Sequence, residues 1–322
     1  MTDAAAVRGA IEAGVAFLEA AQLSGGEIPI QISGRRDMRG PGTREPAVFP
    51  AALAARALSA VPAAATLHSR ALDFLLREMH PDGLWRHPST GLRKHWHTPL
   101  DVDDTALASA ALASAGRTFP DNRALLLAQR GPAHGLFLTW FARWWPHPIA
   151  TYRFFRTIAE RGDVDSVINA NAVFYLGECE ETRPAIEHML RIVRDGREMI
   201  STIWYGSPFT IWYFFSHALR AVGQPAGDLI VSRVEATAPA DALEKAAAAT
   251  SLLLWNRLPD IGPLLDAQLP SGAWPSCGFY HMGRRRSEQV PRTPWWGSES
   301  LTTVFAVEAL SRYQDALAPT GG

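Results

Sequence analysis

The chain has 322 residues, 47% hydrophobic and 20% charged, and its 31 Lys and Arg nearly balance 32 Asp and Glu, for a formal net charge of −1. That composition is globular with enough apolar mass for a large core, and its net charge signals neither a nucleic-acid partner nor an anionic membrane surface. Two cysteines, Cys179 and Cys277, give no disulfide framework and fit a reducing cytoplasm, and no window approaches the ~18 apolar residues needed to span a bilayer, so the protein is expected to be soluble or at most peripheral to a membrane.

Helical periodicity runs through the sequence. Residues 7–22 form an amphipathic helix with charges on one side, and residues 49–61 a helix that is apolar or small nearly all round. The alternation continues with an exposed helix at 66–79 and a buried one at 105–115, then a weaker amphipathic segment near 150–161 and a buried helix at 167–176. An exposed helix at 182–195 pairs with a buried one at 209–219, and weak segments near 226–236 and 260–268 accompany buried helices at 243–255 and 300–310. Long Val/Ile/Thr alternations are missing, so no sheet is expected. Six buried helices alternating with six exposed ones predict an all-α fold: a single α/α-toroid of about six inner and six outer helices, as one domain over residues 1–322. Three segments share an apolar helix end, a Gln or Met and a Gly-containing turn, followed in two of them by Trp: residues 17–27, 74–85 and 264–274.

The chain is rich in aromatics, with 11 Trp, 14 Phe and 6 Tyr, concentrated at 134–155 and 201–215. About half of these belong in packing. If the stretches wall a site, Trp145, Trp204, Tyr205, Phe209 and Trp212 should point into one pocket, joined by Trp295 and Trp296 from the start of the last inner helix.

The strongest chemical signal is Asp101, Asp103 and Asp104 at the start of the Ala-rich helix that Gly116 ends. One acid, or two, would cap the helix and suit its dipole. A third adds repulsion without structural return, and three neighbouring carboxylates in a low-dielectric site cannot all ionise cheaply, so one can hold its proton at neutral pH and act as a general acid. Such an acid can protonate an alkene or epoxide, and aromatic faces can then stabilise a carbocation without trapping it.

The run Asp101-Val102-Asp103-Asp104-Thr105-Ala106 resembles the DxDDTA motif of class II terpenoid cyclases, and the run from Gln268 through Gly272 to Trp274 resembles the QxxxGxW repeat of the same superfamily. The resemblance implies that Asp103 donates the proton while Asp101 and Asp104 orient it and tune its acidity. It implies a small-molecule isoprenoid substrate, a prenyl diphosphate or a prenylated aromatic, with no cofactor beyond the Mg2+ that would accompany a diphosphate. Members usually carry two barrels, whereas this chain has room for one, so the cavity should lie inside the barrel mouth or be closed by a second copy. Members also pair the acid with a His or Asn from another helix; Asn169 and Asn171 are the candidates here, with backbone satisfaction as their alternative role. Asp103, Asn169, Trp212 and Trp296 are expected near one rim.

Arg284, Arg285 and Arg286 form either a solvated turn or a cation set for a diphosphate. Asp163 and Asp165, and Ser298 with Glu299, read as helix caps. His95 with His97, and Cys277 with His281, lack a third ligand at a suitable spacing, so no metal site is expected. Two other readings stand beside the cyclase: a glycosidase pairing Asp103 with Asp165 or Glu299, and a lipid-binding barrel whose acids are only caps.

Overall fold

The computed structural model describes residues 4–141, 148–283 and 294–318. Six helices made largely of small and apolar residues stand side by side as an inner ring: α2 (Val48–Ala57), α4 (Val102–Ser114), α7 (Ser166–Leu176), α10 (Pro208–Ala221), α12 (Ala242–Leu254) and α14 (Glu299–Leu317). Each packs on the next, and α14 returns to α2, so the ring is closed. Around it lie α1 (Ala4–Ala21) on α14, α3 (Ala65–Glu78) on α2 and α4, α8 (Arg183–Asp195) on α7, the single turn α9 (Glu198–Ser201) against α8 and α10, α11 (Gly227–Glu235) on α10 and α12, and the single turn α13 (Gly262–Leu265) on α12. This is the expected α/α-toroid. No described helix is long and apolar enough to cross a membrane.

Burial follows the helical stripe. In α1 the buried side is Val7, Ala10, Ile11, Val15 and Leu18 with Gly14 between them, one face at the i, i+3, i+4 spacing. A Cβ on Gly14 would lie 2.8 Å from Val307 Cγ2 and 3.0 Å from the Trp274 ring, so glycine sets how closely α1 approaches α14. The repeated turns are built alike. Trp85 Nε1 donates to the Leu75 carbonyl at 2.8 Å and its backbone N–H to Thr105 Oγ1 at 3.0 Å; Trp274 Nε1 donates to the Leu264 carbonyl at 2.7 Å and its N–H to Thr303 Oγ1 at 3.0 Å. Gln22 and Gln268 each reach back to a carbonyl of their own turn and across to a neighbouring helix segment. Trp85 and Trp274 thus link an outer helix to the inner layer, while Gln22 and Gln268 link one outer segment to the next outer helix.

Two expectations are corrected. The outer position between α4 and α7 is filled not by residues near 150–161 but by the short α5 (Arg123–Leu127), whose N-cap Asn122 donates to Ser109 of α4 and whose Arg123 donates to the Leu176 carbonyl of α7. Helix α6 (Pro148–Thr157) instead lies over the mouth of the barrel. A small antiparallel sheet is also present, ordered β2 (Thr43–Arg44), β1 (Gln31–Ser33), β4 (Trp295–Gly297), β3 (Gly278–His281). Strands of two to four residues are too short to leave an alternating pattern, which is why the sequence pointed to none. The sheet joins the N-terminal loop to the segment before α14, with Ile32 opposite Trp296 and Trp296 opposite Tyr280.

Candidate active site

Helix α4 opens into the barrel with all three carboxylates buried. Asp101 is its N-cap: the backbone there is extended, bridged to Trp85 and Trp140, and Oδ1 accepts the Asp104 N–H at 2.8 Å. Asp103 stands one residue into the helix and takes no part in capping. Its Oδ1 accepts Asn171 Nδ2 at 2.7 Å and its Oδ2 accepts the Tyr205 hydroxyl at 2.5 Å. Asp104 places Oδ2 3.6 Å from His87 Nδ1, and His87 Nε2 shares a 3.1 Å hydrogen bond with the Tyr280 hydroxyl. Asp101 Oδ2 and Asp104 Oδ1 are buried without hydrogen-bond partners among the described residues.

These environments separate the three acids. Burial raises all of them. For Asp103 the donors Tyr205 and Asn171 pull back, leaving it at about 6. Asp101 and Asp104 are raised well above the usual carboxylate range, by burial first and then by repulsion from a neighbouring aspartate. Asp103 is therefore the strongest acid of the three. Burial holds Tyr205 well above its ordinary range, so its hydroxyl stays a donor, and lowers His87, which favours neutral imidazole.

The three aspartates line a cavity of about 690 Å³. Its walls carry Phe49, Trp140, Phe154, Trp204, Tyr205, Tyr280 and Trp296, with Tyr280 and Trp296 stacked at 5.4 Å and 12°. Glu45 faces it from the N-terminal loop, accepting Trp296 Nε1 at 2.8 Å and paired with Lys94. His87, Glu45, Phe49 and Tyr280 were not expected from sequence. Of these, only Phe49 belongs to an inner helix; the other three sit on loops or a short strand, where no periodic signal marks them.

The other sequence candidates divide. Trp204, Tyr205 and Trp296 line the cavity. Asn171 holds Asp103 rather than lining the wall. Asn169 does neither: its amide exchanges hydrogen bonds with the Phe137 backbone and donates to the Asp165 carbonyl. Phe209 and Trp212 pack edge to face at 5.2 Å, with Trp212 Nε1 donating to Glu198 at 3.0 Å, and neither lines the cavity. Trp295 packs edge to face on the His281 ring at 4.9 Å and against Gly206, behind the cavity lining. Of the four residues expected near one rim, Asp103 and Trp296 line the cavity, whereas Asn169 and Trp212, near the starts of α7 and α10, do not. Trp145, Arg284, Arg285 and Arg286 lie outside the described residues.

The acids named for a glycosidase are placed elsewhere. Asp165 caps α7, and its two oxygens accept from Val167 N, Ile168 N, Thr202 Oγ1, Ile203 N and Trp204 N. Asp163 accepts Trp140 Nε1 at 3.2 Å and Glu160 N at 3.1 Å. Glu299 is exposed in the first turn of α14, which Ser298 caps. Among the described residues, no group of three or more His, Cys, Asp or Glu is arranged to hold a metal ion.

No family model matches the chain, and no curated protein does. Solved structures do. The type II terpene cyclase MstE from Scytonema, without ligand, superposes with a TM-score of 0.72 at 17% identity, covering 98% of this chain and 100% of that one. A variant of MstE in complex with geranylgeranyl dihydroxybenzoate as substrate gives 0.71 at 17% identity, covering 98% and 99%. A protein from Actinoplanes gives 0.73 at 17% identity, covering 96% and 99%. The chain therefore has a class II terpene cyclase-like fold.

Proposed function

We propose that this chain is a class II terpene cyclase in which Asp103 protonates the terminal alkene or epoxide of a prenyl chain and the resulting cation closes rings. The observation that carries the reading is the setting of Asp103, a buried carboxyl on the wall of an aromatic cavity, gripped on both oxygens by Asn171 and Tyr205. A donor must become an anion as it acts. The two hydrogen bonds to Asp103 strengthen as charge appears on it, and so favour the transition state over the resting acid. Asp101 and Asp104 have no comparable donors and keep their protons, so the new anion is not opposed by charge next to it.

The cation then moves along walls of Trp140, Trp204, Tyr280, Trp296 and Phe49, whose π faces attract positive charge without supplying a nucleophile. Loss of a proton from the final cation balances the proton first donated, so the reaction is an isomerisation with no consumed co-reactant. One barrel suits a C15–C20 chain or a prenylated aromatic better than squalene. MstE variants bound to geranylgeranyl dihydroxybenzoate as substrate and merosterolic acid A as product support a prenylated aromatic. In this reading residues 1–322 act as one catalytic domain with the cavity inside the barrel mouth, in a cytoplasmic setting that suits the free thiols Cys179 and Cys277.

The test is incubation of the purified chain with prenyl diphosphates, their epoxides and prenylated aromatics, with cyclised product quantified by mass spectrometry. A panel without cyclised product favours the lipid-binding reading instead. With an active substrate, pH supplies a sharper check. The protonated form of Asp103 is required and is lost as pH rises through about 6, so kcat/KM should be flat below that value and fall about tenfold per unit above it. A rate that climbs from pH 6 to 8 would contradict an acid at this position.

A further inference from the structure

The tryptophans of the cavity wall differ at their N–H edges. Trp296 Nε1 donates to Glu45 Oε1 at 2.8 Å and Trp140 Nε1 to Asp163 Oδ2 at 3.2 Å, and both acids are buried. Trp204 lines the same cavity, yet its Nε1 is buried without a hydrogen-bond partner among the described residues. Trp85 and Trp274, which serve packing, donate to the neutral carbonyls of Leu75 and Leu264. A buried indole N–H needs an acceptor, and a carbonyl meets that need without the desolvation cost of a carboxylate. Packing alone therefore does not account for an acid behind each of two wall indoles.

We propose that Glu45 and Asp163 act through Trp296 and Trp140 to rank the cavity walls, so that positive charge rests on these two indoles in preference to Trp204. An indole face attracts a cation through its π electrons. A carboxylate bound to the N–H draws the proton and pushes electron density back into the ring, as hydrogen bonds in series polarise one another, so the face attracts a cation more strongly. Lys94 pairs with the other oxygen of Glu45, so the charges of that pair largely cancel at a distance, whereas the hydrogen bond on Oε1 remains local to the ring. Glu45 and Asp163 are thus positioning residues: they touch the indole edges and set where charge dwells. That the charge is a substrate carbocation rests on the cyclase reading; the ranking of the walls does not.

The experiment is calorimetry of the purified full chain at pH 8 with two probes, an octyl chain ending in trimethylammonium and the same chain ending in neutral tert-butyl. The ratio of their affinities reads how well the cavity holds positive charge, and the wild type should favour the ammonium at least about tenfold. Glu45→Gln and Asp163→Asn keep the side-chain shape and an oxygen for the indole. Each should lower the ratio at least about threefold. Glu198→Gln is the control, because Glu198 accepts Trp212 Nε1 outside the cavity, and it should leave the ratio unchanged. A direct charge effect, including that of a Lys94 released by Glu45→Gln, does not depend on the ring. Each substitution is therefore repeated on Trp296→Phe or Trp140→Phe, where its effect should fall to less than about 1.5-fold. If a Phe variant does not fold, 5-fluorotryptophan at that position weakens the π face at constant shape and N–H, and should lower the ratio without changing affinity for the neutral probe. A wild type that binds neither probe or does not favour the ammonium would overturn the proposal, as would effects undiminished on the Phe backgrounds. A failed substrate panel leaves the ammonium result standing, and absent coupling leaves the role of Asp103 standing, so the two readings fail separately.

Discussion

Asp103→Asn is expected to keep the fold and lower the cyclisation rate at least ~10³-fold, roughly 4 kcal/mol of barrier. Asparagine fills the same space and can still meet Asn171 and Tyr205, but it has no proton to give. Asp101→Asn and Asp104→Asn should slow the reaction less, because Asp103 remains. Stability provides an independent reading of the same variant. The folded pKa of Asp103 stands at about 6 against 3.8 unperturbed, so the folded chain holds this proton more tightly than the unfolded one. Between those values stability falls as pH rises, and above about pH 6 the full penalty of a buried anion is present, up to about 3 kcal/mol. Asparagine never ionises. The variant should therefore melt with the wild type near pH 4 and above it at pH 8. Equal melting at both values together with wild-type turnover would refute both the burial argument and the assignment of Asp103 as donor.

How far the sequence could be read follows from what each position asks of its neighbours. The inner helices were legible because a helix enclosed on every side must be small or apolar all round, and the segments at 167–176 and 209–219 lie within two residues of α7 and α10. The outer layer was less legible, since α5 is five residues long and held by Asn122 and Arg123 rather than by an apolar stripe. In the site, the three acids stood out because capping needs at most two of them, and the resemblance to the DxDDTA motif singled out Asp103. Asn169 and Asn171 could not be separated by composition, yet two residues on a helix differ by about 200° in direction. Asn171 thus meets Asp103 while Asn169 turns to the Phe137 backbone. Tyr205 was read as an aromatic wall, and it is one; its hydroxyl's grip on Asp103 depends on two segments 102 positions apart, a relation no local pattern records. Likewise His87, Tyr280 and Glu45 reach the cavity from loops and a short strand, where burial is set by tertiary contact.

Glu308→Ala is expected to cost about 3–5 kcal/mol of stability, because it removes the anion from a buried ionic cluster. Glu308 lies inside α14, almost fully buried; Oε2 accepts the Tyr213 hydroxyl at 2.6 Å, Oε1 accepts Arg312 Nε at 3.0 Å, and His217 Nε2 lies 3.4 Å away. Tyr213 in turn accepts from Arg56 Nη2 at 2.6 Å, and the buried Arg56 guanidinium lies over the Tyr213 and Phe214 rings at 4.9 and 5.2 Å. Burial alone would push the Glu308 carboxyl up, but His217, Arg312 and Arg56 hold it well below the usual range, so it is ionised at neutral pH. The cluster spans α2, α10 and α14, where the last inner helix meets the first. Without Glu308, Arg56 keeps its charge in an apolar setting with only the ring faces and one hydroxyl to oppose it. A double variant, Arg56→Met with Glu308→Leu, should recover much of the loss, since it removes both charges at similar volume. Urea unfolding of the wild type, each single variant and the double variant measures the coupling. None of these residues lines the cavity, so kcat well below the melting temperature should stay near wild type in every variant. Single losses that simply add in the double variant would show that Arg56 and Glu308 are not coupled, and a Glu308→Ala variant as stable as wild type would mean that the ring closes without this cluster.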